Sequence, residues 1–152
     1  MLSLKYKPKD IVKTRNSPIA WMMVLRPIGV IHSPYGEKGL KAPPQGRHRP
    51  EEFSEIEVFK EYAEGLKDVE GFSHLIILYW CHKSEKYMLL QETPWDTKPH
   101  GVFATRSQHR PNPIGLTVVE LVKRRGNLLT VKGLDAIDGT PLLDIKPYIP
   151  SI

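Results

Sequence analysis

Cysteine is almost missing from this 152-residue chain, and Cys81 is the single one. One thiol excludes a disulfide framework and a thiolate metal cage within the chain. The six histidines (His32, His48, His74, His82, His100 and His109) form neither an HExxH pair nor a cysteine-histidine pattern, so no metal site is expected. No apolar run approaches the ~20 residues of a membrane-spanning helix. The apolar stretch Ile19 to Leu25 is too short and too late for a signal peptide, which makes a cytoplasmic protein the expectation. Also absent are a GxGxxG fingerprint after a strand and a phosphate-binding GxxxxGK loop, so a Rossmann-type cofactor site has no support.

What is present is ordinary for a soluble globular domain: 40% hydrophobic and 26% charged residues, enough to bury one core. The net charge of +5 leans toward a polyanionic partner without proving one. Residues 1–21 are polar, basic and aperiodic, and are expected to be a loose extension, with Met22 or Met23 as the natural start. Residues 22–152 are expected to form one domain. Fourteen prolines, together with short apolar runs, point to a loop-rich β fold.

Strand signals fall at Ile28 to His32 and at "SEIEVF", where glutamates alternate with apolar residues. "SHLIILYWCH", Ser73 to His82, reads as a central strand buried on both faces. "GVFAT", "GLTVVELV", "LLTVKGL" and "LLDIKPYI" follow, with Gly126-Asn127 and Asp138-Gly139 as turns. "KEYAEGLKDVEG" has the spacing of one short amphipathic helix closed near Gly71. "KSEKYMLLQETPWDTKPHG" is expected to be a long loop. The expectation is a mainly β fold: a single small β-barrel of about six or seven strands with one short helix.

Three segments carry more chemistry than a core or a solvated surface needs. "ATRSQHRPNPIG", Ala104 to Gly115, sets Arg106 and Arg110 on a proline-stiffened loop. Arginine's planar fork suits carboxylates and phosphates, and Gly115 offers close backbone approach to a ligand. "GLDAIDGTPLLDIKPY" holds Asp135, Asp138 and Asp144 at a spacing that is not that of a calcium loop. Asp138 reads as a turn residue, and Asp144 as a cap or an ion-pair partner. "APPQGRHRP" offers an amide, bare backbone and the cations Arg47, His48 and Arg49. Each segment also has a plain reading as a solvated turn. His74 reads as a satisfied core histidine, Cys81 as an inert buried thiol, and Tyr79 and Trp80 as packing.

Taken in order, "IGVIHSPY", "GLKDVEGFSHLIILYW", "GVFATRSQHRPNPIGLT" and "LDAIDGTPLLDIKPY" resemble four blocks of the TsaA/YaeB/VirR-like, or TrmO, family. The resemblance runs from about Pro27 to Pro150. It implies a β-barrel methyltransferase that uses S-adenosyl-L-methionine, is neither Rossmann-like nor knotted, and acts as a homodimer with the cofactor near the subunit interface. The implied substrate is N6 of N6-threonylcarbamoyladenosine beside a tRNA anticodon. The implied cofactor site takes Pro44, Gln45, Gly46, His82, Lys83, Arg106, Leu116 through its backbone, and Lys132, Gly133, Leu134 and Asp135. Asp135 and Arg106 are the implied catalytic pair. Asp135 would bond the cofactor or take a proton from the nucleophilic nitrogen. Arg106 would clamp either the cofactor carboxylate or that of the threonylcarbamoyl group. Arg47, Arg49 and Arg110 are candidates for tRNA phosphates. Gln108 stands where that family's signature often has proline or threonine. A non-catalytic RNA-binding barrel and an interaction adaptor are the alternatives.

Overall fold

The computed structural model describes residues 11–12, 22–37, 39–43, 46 and 49–151, with the backbone alone for 11, 12 and 22. Of the expected extension, only Ile11–Val12 (β1) falls among them. β1 pairs antiparallel with Met22–Met23 (β2), and the rest of residues 1–21 lies outside the described residues.

Six strands close a barrel: Gly29–His32 (β3), Phe53–Val58 (β4), His74–Trp80 (β5), Ile114–Arg125 (β8), Leu128–Lys132 (β9) and Pro141–Pro147 (β10). Their order around the barrel is β10, β3, β4, β9, β8, β5, and every neighbouring pair is antiparallel. Period-two alternation builds it. In β4, Ser54, Ile56 and Val58 turn inward while Phe53 and Glu55 stay exposed. Ile31, Ile56, Leu75, Ile77, Leu129, Val131 and Leu142 are fully shielded in the interior. Each contributes roughly 1.5–3 kcal/mol relative to an exposed side chain. Leu66 and Leu134 join the same core from outside the strands.

The expected short helix is present, wound as two 3-10 segments, Lys60–Leu66 and Val69–Gly71, separated by Lys67 and by Asp68 in a left-handed conformation at φ 70°. So short a segment has little intrinsic helical stability, and its fixed point is the buried Leu66. Three other local expectations change. The expected loop after Lys83 contains an antiparallel hairpin, Leu90–Thr93 (β6) with Asp96–Gly101 (β7). None of its residues is fully buried, so no burial period marked it in the sequence. "GVFAT" is not a strand. Gly101 ends β7, and Val102–Ala104 makes a 3-10 turn anchored by the buried Val102. Finally, β5 is buried on one face only. Leu75, Ile77 and Tyr79 point inward, and Ile76, Leu78 and Trp80 are half-buried on the outside.

Candidate functional site

One end of the barrel is organised by a single carboxylate. Asp135 follows β9 and accepts three hydrogen bonds. Oδ1 takes the Tyr79 hydroxyl at 2.7 Å and the Thr117 hydroxyl at 2.5 Å, and Oδ2 takes the Gly46 amide at 3.1 Å. The two hydroxyls also lie 3.3 Å apart. Each has one proton, and both protons are directed at Asp135, so that contact holds no hydrogen bond of its own. Burial pushes the Tyr79 phenol well above its ordinary range, and the Asp135 charge adds to the effect. Tyr79 is therefore a hydrogen-bond donor at neutral pH.

Two glycines make this packing possible. A Cβ on Gly46 would fall 1.8 Å from the Gly133 carbonyl oxygen and 3.2 Å from a Thr117 methyl. The bare backbone lets this loop press onto the barrel end. A Cβ on Gly115 would fall 2.2 Å from a Tyr79 ring carbon. The space expected for a ligand at Gly115 is thus filled by the Tyr79 ring, which faces it across the β5–β8 ladder.

The same end has a free strand edge. Cys81 N–H donates to Pro113 O at 2.8 Å and Leu121 N–H to Ser73 O at 2.9 Å. These fix the phase of the ladder, so odd-numbered residues of β8 bond to β5. The alternate residues turn their N–H and C=O toward the other edge. There β9 begins only opposite Glu120. Ile114 N–H is taken by Asn112 O at 2.7 Å, while the peptide groups of Leu116 have no partner among the described residues.

The proline-stiffened loop runs straight into β8 and is tied to the end of β5, where Pro113 O accepts the Cys81 amide at 2.8 Å. Burial pushes the Cys81 thiol up, nearby Asp135 adds to that, and nearby Arg110 opposes it. The loop is braced from within. Arg110 Nη1 donates to the Thr105 and Ser107 carbonyls at 2.8 and 3.2 Å, and its guanidinium sits 5.9 Å from the centre of the Phe103 ring. Arg106 is exposed and has no partner among the described residues.

Residues 30–152 match the family model described as the tRNA-methyltransferase O N-terminal domain. The chain belongs to the TrmO family. A protein of Archaeoglobus fulgidus named "Probable S-adenosyl-L-methionine-binding protein" is 56% identical over 131 residues, covering 86% of this chain and 35% of that protein. The "tRNA (adenine(37)-N6)-methyltransferase" of Escherichia coli is 39% identical, over 81% of this chain and 56% of that one. The crystal structure of TrmO from Pseudomonas aeruginosa superposes with a TM-score of 0.69 at 36% identity, covering 86% of this chain and 57% of that one. The chain therefore spans between about a third and three fifths of the length of these relatives.

In this TrmO-family barrel, Gly46, Asp135 and the Leu116 edge come together at one end, and the loop that carries Arg106 leads into β8 at Ile114. Pro44, Gln45 and Arg47 lie outside the described residues. His82 is half-buried in the turn after β5, and its Nδ1 is buried without a partner among the described residues. Lys83 is exposed in the same turn. The Lys132 ammonium is committed to Glu51 at 3.0 Å and lies 5.1 Å from the centre of the Phe53 ring, so what it offers the barrel end is backbone. Gly133 N–H donates to Glu52 O, and the Leu134 side chain is in the core. Arg49 is half-buried and its amide closes onto Gly46 O at 3.0 Å. Asp138 accepts the Ser33 amide at 3.1 Å and Asp144 pairs with Lys146 at 2.9 Å, so both have structural partners of their own.

Tyr79 and Thr117 are the site residues that sequence reasoning missed, having read Tyr79 as packing. The signal was available in the pattern. Both fall on the inward face of their strands, where a hydroxyl needs an acceptor. Among the described residues no group of three or more His, Cys, Asp or Glu side chains is arranged to hold a metal ion. Nor is any helix among them long and apolar enough to cross a membrane.

Proposed function

We propose that the chain transfers a methyl group from S-adenosyl-L-methionine to N6 of an adenosine beside a tRNA anticodon, with N6-threonylcarbamoyladenosine as the target. The observation that carries this reading is the free Leu116 peptide on a barrel end closed by the Asp135 network, in a chain of the TrmO family. The residues fit the cofactor. An adenine edge presents a donor and an acceptor, and the N–H and C=O of Leu116 are their complement. A methionine carboxylate matches the planar fork of Arg106, which equally suits the carboxylate of a threonylcarbamoyl group. Pro44, Gln45, Gly46, His82, Lys83 and the segment from Lys132 to Asp135 complete the proposed site.

When bound, the cofactor supplies an electrophilic methyl group on a sulfonium. The chain's part is alignment, and preorganisation of this kind can lower a barrier by ~7–11 kcal/mol. A carboxylate accepts roughly four hydrogen bonds. Three positions on Asp135 are filled, which leaves one for a ligand donor. On this reading Asp135 positions the Gly46 loop against the barrel, and Arg106 orients a carboxylate. Arg47, Arg49 and the remaining donors of Arg110 are offered to tRNA phosphates. The catalytic domain is residues 22–152, with 1–21 an extension, and the protein works in the cytoplasm, where its tRNA substrate is.

A homodimer is part of the proposal. On the outside of β5 and β8, Trp80 faces Ile114, Leu78 faces Leu116 and Ile76 faces Val118. This apolar patch is rimmed by Asp144 and Lys146 on one side and by His74 and Glu120 at its end. A rim of both signs suits the self-complementary contact of two identical chains. The patch includes Leu116, so the second copy would seat beside the cofactor edge. Light scattering should give twice the chain mass, and Val118→Lys should give the single-chain mass.

The deciding experiment incubates tRNA with the protein and methyl-labelled cofactor and reads nucleosides by mass spectrometry. One added methyl on the modified adenosine is expected, and it should be lost with Arg106→Ala. A second reading is a protein that binds the cofactor, the property for which the Archaeoglobus relative is named, without transferring its methyl group. Calorimetric binding of the cofactor with no methylated nucleoside would establish that instead.

A further inference from the structure

Phe103 is out of place for a large apolar side chain. It is 77% exposed, although the residue before it, Val102, is buried and ties the turn down. Val102 N–H donates to Leu89 O at 2.9 Å, and the Thr105 hydroxyl donates to Val102 O at 2.8 Å. The turn is thus fixed at both ends with the ring left outside. The guanidinium of Arg110 sits 5.9 Å from the ring centre and is itself pinned by the Thr105 and Ser107 carbonyls. Such a contact orients an aromatic ring through its quadrupole. Three residues on, Arg106 is exposed and without a partner among the described residues. An open aromatic ring with an arginine braced against it is the equipment with which proteins hold an unstacked nucleobase.

We propose that Phe103 is a nucleobase-stacking residue that holds a splayed base of a single-stranded RNA loop next to Arg106. The inference rests on the reading of the chain as an RNA-modifying enzyme and adds to it a positioning residue for the substrate. The ring would stack on a base in the target loop, and Arg110 would fix the ring's orientation. Stacking is tolerant of base identity, because every base has a π-face. Phe103 would thus contribute affinity and placement, and sequence preference would come from other residues.

The test compares Phe103→Leu and Phe103→Trp with the unaltered chain, using a synthetic anticodon stem-loop RNA as the probe. Leucine keeps an apolar side chain and removes the π-face. RNA affinity is expected to fall about ten-fold or more in the leucine variant, in the range for loss of one stacked base, and to be restored by tryptophan. Calorimetric affinity for S-adenosyl-L-methionine and the molar mass in solution should stay unchanged in both. Equal RNA affinity for the leucine variant and the unaltered chain would overturn the proposal while leaving the methyltransferase reading intact. A change of molar mass in the leucine variant would assign Phe103 to a protein interface and overturn it too. If the unaltered chain binds no RNA, both the proposal and the reading beneath it fall.

Discussion

Phenylalanine in place of Tyr79 keeps the ring that fills the space over Gly115 and removes one oxygen. The hydroxyl lost is a donor to a carboxylate at 2.7 Å on a side chain only 8% exposed. Hydrogen bonds to charged groups contribute about 1.5–3 kcal/mol. The lower end applies here, because Asp135 keeps Thr117 and Gly46 as donors, and the phenol's own desolvation penalty disappears. A destabilisation of about 1.5 kcal/mol at neutral pH follows, or roughly 3–6 °C in Tm for a chain of this length. Urea denaturation with a constant m-value measures it. The pH dependence supplies an independent check. The Tyr79 pKa is raised in the folded protein, so its contribution is fully present below the unfolded phenol's pKa of ~10. It is lost as pH rises through the folded value, because the unfolded chain ionises first. The gap between the two proteins should therefore close above about pH 10. Equal stability at pH 7, or an alkaline limb unchanged by the substitution, would refute the role given to this hydroxyl.

Gly115→Ala should cost more than Tyr79→Phe. Its Cβ would lie 2.2 Å from the ring, and the overpacking alone is worth about 1–3 kcal/mol before the displaced hydroxyl is counted; the same urea titration ranks the two. Arg124→Ala should cost about 1–2 kcal/mol, since the guanidinium donates to the Leu66 and Gly126 carbonyls and to Glu70. The hydrogen bond from Arg124 holds the Glu70 carboxyl below its ordinary range. That contribution is present above the unfolded carboxylate's pKa of ~4.3 and is lost as pH falls through the folded value. Glu70→Gln should flatten the acid limb of the stability profile.

What could be read from the sequence was whatever a period could encode. The inward alternation of "SEIEVF" and the turn at Gly126-Asn127 place β4, β8 and β9 without any structure. Asp135 drew attention because it followed an apolar strand and preceded a turn. What could not be read depends on partners distant in sequence. Tyr79, Thr117 and Gly46 meet at Asp135 from three different segments, and no local pattern announces that meeting. The β6–β7 hairpin escaped for a different reason. It buries little, so the alternation that betrays a strand is missing from it. Gly115 shows how a local rule misleads. A glycine in a donor-rich loop suggested space for a ligand, and the space belongs to a tyrosine one strand away.

The barrel's geometry also explains why a site forms where it does. The interior is packed with aliphatic side chains, so nothing can bind through the middle. The twelve residues of β8 lie against five in β9, and the surplus leaves a length of unpaired edge. An open edge is a liability that proteins usually cover or charge. Here it lies next to Asp135, a carboxylate that ties three segments together, and next to an exposed apolar face. An unpaired strand edge and a carboxylate fixed by three donors stand within one neighbourhood, more polar machinery than closing the end of a barrel requires. Their coincidence at the end of β8, rather than any one of them, is what argues for a binding site.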